Sequence, residues 1–264
     1  MFIDTHCHLD AGEFAADRDA VASAALQNGV SMIVVPAVER ANFSAVCKLA
    51  DQHAHCAIAL GIHPLYVDGA QADDVQFLAA LVEKKLSGAK QPVAIGEIGL
   101  DFFVEGYIRE RQEYYFVEQL KLARQFDLPV ILHVRRSIDD VLKYLRKIKV
   151  RGGIAHAFNG SHQQADMLID LGFKLGFGGA MTYPRALKIR ELAATLPLES
   201  IVLETDAPDI PPEWLGHDGR NSPDQLPGIA QVLADLRGIK RSEVAEITTK
   251  NALDILPKLS QLCT

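Results

Sequence analysis

Leu128-Pro129-Val130-Ile131-Leu132-His133 is an apolar run that stops on a histidine. The pattern recurs along the chain. Pro92-Val93-Ala94-Ile95-Gly96-Glu97 stops on a carboxylate, Gly153-Ile154-Ala155-His156 on a histidine, and Ser200-Ile201-Val202-Leu203-Glu204-Thr205-Asp206 on carboxylates. Ile3-Asp4-Thr5-His6-Cys7-His8 ends on two histidines two positions apart. In extended chain such residues face the same side, so His6 and His8 aim at one point while Cys7 faces away. Ser31 to Pro36, Ala57 to Ile62 and Phe173 to Phe177 complete a set of eight short runs. They are apolar throughout rather than alternating, which suits parallel strands covered on their outer face.

Helical periodicity fills the intervals. It covers Asp17 to Asn28, Asn42 to His53, Asp73 to Leu86, Ile108 to Phe126, Ile138 to Ile148, His162 to Leu171 and Arg185 to Leu196. Pro223 to Leu236 and Ser242 to Ile255 close the chain. Eight strand–helix units in about 250 residues predict an α/β fold, a TIM (β/α)8 barrel formed as a single domain over residues 1–264. A doubly wound open sheet is the alternative, but no GxGxxG follows the first strand. The irregular stretch from Ala207 to Pro223 follows the last strand, where a barrel can carry a substrate loop.

The 264 residues are 48% hydrophobic and carry a formal charge of −7, which argues against a protein that coats nucleic acid non-specifically. Cys7, Cys47, Cys56 and Cys263 show no CxxC spacing and read as free thiols of a reducing compartment. No secretory pattern opens the chain and no apolar run reaches membrane-spanning length, so the expectation is a soluble, cytoplasmic monomer.

His6, His8, His63, Glu97, His133, His156 and Asp206 all fall at or just after predicted strand ends. In a parallel barrel these ends share one rim, where barrel enzymes build their sites. A helix-capping role would account for one such carboxylate, but not for a repeated pattern at five strand ends. The remaining histidines, His53, His55, His162 and His217, are expected on the surface. Four imidazoles (His6, His8, His133, His156) and two carboxylates exceed the needs of one tetrahedral zinc. They suit two divalent ions, with Glu97 as the bridge. Two such ions outweigh the two carboxylates, leaving a positive pocket that favours an anionic substrate such as a phosphate. Water held there ionises near neutral pH and serves as nucleophile. Asp206 is placed to orient or deprotonate it. Imidazole-rich ligation favours Zn²⁺, Mn²⁺ or Co²⁺, with Mg²⁺ an open choice.

These residues resemble the TatD-like metal-dependent hydrolases, within the wider amidohydrolase-type barrels. The likeness is carried by Asp4-Thr-His-Cys-His-Leu9, Gly61-Ile-His-Pro64, Gly96-Glu-Ile-Gly-Leu-Asp101, Pro129-Val-Ile-Leu-His133, His156-Ala-Phe-Asn-Gly160 and Glu204-Thr-Asp-Ala-Pro208. It runs in order from residue 2 to about residue 256. The resemblance implies a two-metal site with deoxyribonuclease or phosphodiesterase activity. It implies His6, His8, Glu97 and Asp206 around one ion and Glu97, His133 and His156 around the other. It also implies His63 facing substrate phosphate, Asp101 as a supporting carboxylate, and Arg220-Asn221 near the site. The chain departs from the family pattern at Asn159, where serine is usual, and at Ser222, where glutamate is usual. Phe102-Phe103 stand where tyrosines are common. None of these changes removes a metal ligand.

The expected activity is therefore two-metal hydrolysis of DNA or a small phosphodiester, in the manner of a 3′–5′ exonuclease. His63, Arg135 or Arg136, Tyr183, Arg185 and Arg220 are the candidates for holding phosphate. The alternatives are hydrolysis of a small-molecule ester, amide or lactone, and a non-catalytic role for the metal centre. The basic run from Lys143 to Arg151 precedes the sixth strand and reads as a solvated helix face on the opposite rim.

Overall fold

The computed structural model describes residues 1–262. Cys263, one of the expected thiols, lies outside them. The strands are β1 (Phe2–Asp4), β2 (Val30–Pro36), β3 (Cys56–Leu60), β4 (Ala94–Asp101), β5 (Val130–Arg135), β6 (Gly153–Ala155), β7 (Phe173–Phe177) and β8 (Ile201–Leu203). They form one parallel sheet in sequence order. Backbone bonds from Thr5 to Leu203 (3.1 Å), Asp206 to His6 (2.8 Å) and His8 to Ala207 (2.7 Å) join the two edges. Among the described residues closure leaves no exposed edge strand, the standing hazard of an open sheet. The expected (β/α)8 barrel is the fold observed.

The helices α1 (Arg18–Gln27), α2 (Phe43–Gln52), α3 (Asp74–Leu86), α4 (Arg109–Gln125), α5 (Ile138–Lys147), α6 (His162–Asp170), α7 (Leu187–Thr195), α8 (Leu226–Arg237) and α9 (Arg241–Ile255) surround it. Each turns an apolar stripe to the sheet; in α5 the buried residues are Val141, Leu142 and Leu145. Val141→Ala would forfeit a fully buried branched side chain, at about 1–3 kcal/mol. Strand side chains divide by parity. Met32, Val34, Ala57, Ala59, Ala94, Ile131, Ile154 and Val202 pack together with Leu256 and Leu259 after α9. Their neighbours Ile33, Val35, Ile58, Ile95 and Leu132 join the larger layer beneath the helices.

Several boundaries differ from the sequence expectations. β1 ends at Asp4, and the chain bends at Thr5 before Cys7 pairs with Ala207 as a single bridge. β4 runs on to Asp101, so Glu97 lies within the strand rather than at its end. β8 stops at Leu203, and α7 begins at Leu187, leaving Arg185 in the preceding loop. His162 and His217 are exposed as expected, but His53 and His55 are half-buried. His55 Nε2 bonds to the Ala22 carbonyl at 3.1 Å and His53 Nε2 to Asp19 at 2.9 Å, which ties the end of α2 to α1.

Candidate metal centre

Parity explains how the polar residues arrive at one place. His133 is two residues beyond Ile131, His156 two beyond Ile154, and Glu204 and Asp206 two and four beyond Val202. They continue the series that faces the barrel axis. Glu97 and His6 do not: Ala94 and Ile3 belong to the axial set, and each lies an odd number of residues away. A register shift between Ile95 and Ile98 turns Glu97 inward, and the bend at Thr5 does the same for His6 and His8. A bulge that re-aims one side chain is a common device beside active sites. At Gly99 the strands approach so closely that an added Cβ would lie 1.9 Å from the His133 carbonyl oxygen, and φ is +155°.

Glu97 is the hub and is buried. Its Oε2 lies 3.2 Å from His6 Nε2 and 3.5 Å from His8 Nε2. Its Oε1 lies 2.8 Å from His156 Nε2, 3.0 Å from His133 Nδ1 and 3.4 Å from His63 Nε2. Asp206 Oδ1 is 3.5 Å from His6 Nε2 and 3.8 Å from His8 Nε2. The two oxygens of one carboxylate thus face two sets of imidazoles.

Imidazole nitrogens also face each other, His6 Nε2 to His8 Nε2 at 3.3 Å and His133 Nδ1 to His156 Nε2 at 3.4 Å. Lone pairs so disposed favour a shared cation over hydrogen bonding alone. Three overlapping groups of His, Glu and Asp atoms converge within 4.8 Å. Nitrogen and carboxylate donors at this density fit a divalent transition-type ion.

His63 is a different case. Its Nδ1 accepts the Leu65 N–H at 3.1 Å, so in the neutral ring Nε2 carries the proton. Its edge toward the site is a donor, suited to an anionic oxygen rather than to a cation. The converse holds at His133. Its Nε2 donates to Asp101 Oδ2 at 2.9 Å, which leaves the Nδ1 lone pair facing Glu97. Asp101 Oδ1 meanwhile accepts the N–H groups of Phe103 (2.8 Å) and Val104 (3.3 Å).

The imidazoles compete for one carboxylate. Burial would raise the Glu97 pKa, but His156, His63 and His6 overcome it and hold the carboxyl well below its ordinary range. Burial also works against charge on His156, yet the attraction of Glu97 lifts it to about 10. His8 is lifted likewise, against burial, to about 9. His6, stacked on His156 with ring centres 4.0 Å apart, is depressed to about 3 by burial and by that neighbour's charge. Burial raises the Asp206 carboxyl above the usual range despite His156 and His8.

Two carboxylates stand behind the site. Asp4 accepts from the Thr205 hydroxyl at 2.6 Å and the Thr205 N–H at 3.0 Å, locking the end of β1 to the chain that carries Asp206. Glu204 Oε1 accepts the Ala157 N–H and lies 3.9 Å from His156 Nδ1, while its Oε2 has no hydrogen-bond partner. Sequence reasoning did not single out Glu204 as a site residue. Its spacing of two from Asp206 was the available signal.

The seven residues expected at the rim, His63 included, come together there. Of the other substrate-binding candidates, Arg220, Asn221, Tyr183 and Arg185 do not join them. Arg220 pairs with Asp17 at 2.7 and 2.9 Å and lies over Phe14. Asn221 is buried, and its amide donates to the carbonyls of Thr205, Asp209 and Ile210, so it ties down the loop after Asp206. Tyr183 stacks on His217 at 4.7 Å, and Arg185 is exposed in the loop before α7. None of these four lines the cleft of about 1190 Å³ above Glu97, whereas Arg135, Arg136, Phe103 and Tyr66 do.

A closed parallel barrel with imidazoles and carboxylates gathered at the carboxyl ends of its strands defines a metal-dependent hydrolase. The chain belongs to the TatD related DNase family, which it matches over residues 3–257. It is 43% identical to the Escherichia coli K12 protein described as uncharacterized metal-dependent hydrolase YjjV, across 95% of both chains. The crystal structure of that E. coli TatD homologue superposes with a TM-score of 0.91, at 42% identity, covering 97% of this chain and 98% of the other. The Shigella flexneri protein named 3′-5′ ssDNA/RNA exonuclease TatD is 33% identical over 94% of this chain and 96% of its own length.

Proposed function

We propose that the protein is a phosphodiesterase that uses two divalent cations, Zn²⁺, Mn²⁺ or Mg²⁺, to cleave the terminal phosphodiester of a DNA strand. The observation that carries this reading is the division of labour at Glu97. One oxygen faces His6 and His8, with Asp206 beside them, and the other faces His133 and His156. The first group would hold one ion and the second the other, with Glu97 common to both. When bound, the pair would lower the pKa of water and stabilise negative charge on attacking and leaving oxygens.

The protein's own residues supply the rest. Asp206 accepts the proton of the attacking water and fixes its direction. His63 donates from Nε2 to a non-bridging phosphate oxygen, a role that its Leu65 hydrogen bond supports. Asp101 holds His133 in the tautomer that leaves Nδ1 open. Cys7, Cys47 and Cys56 are free thiols, and we assign the protein to the reducing cytoplasm. Among the described residues no helix is long and apolar enough to cross a membrane.

The test is hydrolysis of bis-p-nitrophenyl phosphate and of a 3′-labelled oligonucleotide, beside a panel of esters, amides and lactones. Each is assayed with added Mn²⁺, Mg²⁺ or Zn²⁺. Metal-dependent cleavage of the phosphodiesters is the expected result. Cleavage confined to the carbonyl panel would transfer the protein to small-molecule hydrolysis.

A further inference from the structure

The mouth of the cleft is electrically lopsided. Asp10, Glu13 and Glu39 line it on the side of β1 and β2. On the side of β4 and β5 it is lined by Phe103, Arg135 and Arg136. The Arg135 guanidinium lies 3.7 Å from the Phe103 ring centre and that of Arg136 4.5 Å. Both arginines are exposed, Phe103 is 42% exposed, and neither guanidinium has a carboxylate partner among the described residues. Cations laid on an aromatic ring at the edge of a site for anions gain a modest attraction from the ring, and with no acid beside them their N–H groups remain open to a phosphate.

The cluster is also held rigidly. Pairing of β4 with β5 continues to Asp101 and Arg135, and the Phe102 N–H bonds to the Arg135 carbonyl at 2.9 Å. The Ser137 hydroxyl donates to the Leu100 carbonyl at 2.6 Å. Between them Arg136 adopts φ +56°, a left-handed conformation that a non-glycine side chain takes at a cost. Phe103 is fastened by the same Asp101 carboxylate whose other oxygen positions His133. The backbone that carries the ring and the two guanidiniums is therefore fixed relative to the centre that acts on phosphate.

We propose that Phe103, Arg135 and Arg136 form a platform for single-stranded polynucleotide, which rests on the phosphodiesterase reading above. One base stacks on the ring–guanidinium face, and the adjoining phosphates lie against Arg135 and Arg136. The strand enters over β4 and β5 because the acidic side of the mouth repels it. Stacking on an aromatic or guanidinium plane serves every base and needs the bases unpaired, so it selects single strands without reading sequence. Phe103 and the two arginines determine specificity; they do not take part in bond cleavage.

The test measures binding apart from turnover. Protein carrying Asp206→Asn is titrated with a fluorescent single-stranded oligonucleotide and with its duplex, at several salt concentrations. Phe103→Ala, Phe103→Leu, Arg135→Ala and Arg136→Ala are each added to it. Arg124→Ala, at the far end of α4, controls for the loss of one charge. The platform predicts tighter binding of the single strand. It predicts loss of about tenfold or more in affinity for Phe103→Ala and for Arg135→Ala. Each arginine change should lower the salt slope by about 0.7. A 2-aminopurine near the 3′ end should be quenched on binding, and Phe103→Leu, which keeps apolar volume without the ring, should abolish the quench. Changes of less than twofold in Phe103→Ala, Arg135→Ala and Arg136→Ala alike, or a quench indifferent to Phe103, would overturn the platform. Its failure differs from failure of the phosphodiesterase reading. An unmutated enzyme that hydrolyses phosphodiesters while the mouth variants bind normally refutes the platform alone. Platform-dependent binding by an enzyme that cleaves no phosphodiester refutes the chemistry alone.

Discussion

Asp101→Asn isolates the link between a buried hydrogen bond and cation affinity. Asp101 serves three donors with two oxygens: His133 Nε2 on one, and the N–H groups of Phe103 and Val104 on the other. Asparagine has one acceptor oxygen and one NH₂ group in nearly the same volume. If its oxygen faced His133, the NH₂ would meet two backbone N–H groups. Turning two N–H groups onto an NH₂ forfeits both hydrogen bonds, at about 0.5–1.5 kcal/mol each, and sets donor against donor. The oxygen therefore stays on the loop and the NH₂ faces His133. The imidazole must then accept at Nε2, which moves its own proton to Nδ1, the nitrogen 3.0 Å from Glu97. A cation must displace that proton. Changes in such supporting contacts weaken metal binding by about 10- to 100-fold, or about 1.4–2.8 kcal/mol. Isothermal titration of the metal-free protein with Mn²⁺ or Zn²⁺ measures this directly, and the expected result is one weakened binding step with little change in Tm. An Asn variant that binds within twofold of the unmutated protein would show that His133 does not depend on Asp101 for its tautomer.

Further predictions concern the same centre. Asp206→Asn should still take up metal, while kcat falls by about 10²–10⁴-fold as the base is lost; near-normal kcat would remove Asp206 from that role. His8 and His156 are lifted to about 9 and about 10 in the metal-free protein, so both carry protons at pH 7. Metal uptake must expel them, so apparent affinity should rise with pH from about 7 to 9. Calorimetry at pH 7 in buffers of different ionisation enthalpy should register about two protons released; no net release would contradict the charge state deduced for the empty site. Asn221→Ala leaves three loop carbonyls without their shared donor. It should lower stability by about 1–3 kcal/mol and kcat more than it raises KM. A pure KM effect would instead return Asn221 to direct substrate contact.

Much of this architecture was legible in the sequence, because burial on both sides of a parallel strand leaves an uninterrupted apolar run. Eight such runs, separated by amphipathic helices, admit few arrangements. The ligand types were legible for a related reason: a histidine or carboxylate at the end of an apolar run has little to gain there unless something polar waits for it. Arg220 and Asn221 were the harder cases. Each satisfies a local need, an ion pair with Asp17 and a set of loop carbonyls. Such partners, more than two hundred positions away for one and across a turn for the other, leave no periodic trace.

The sequence by itself determined the barrel, the donor set and the rim on which it collects. It did so through periodicity, which depends on neighbours along the chain. Only the tertiary structure decided which way Glu97, His6 and His8 point. By parity with Ala94 and Ile3 they would face the helices, and the register shift in β4 and the bend at Thr5 reverse them. The tertiary structure likewise made His63 a donor, through the Leu65 N–H, and brought Asp101 behind His133. Those assignments depend on where a proton sits between two atoms about 3 Å apart, and that distance exists only once the barrel has closed.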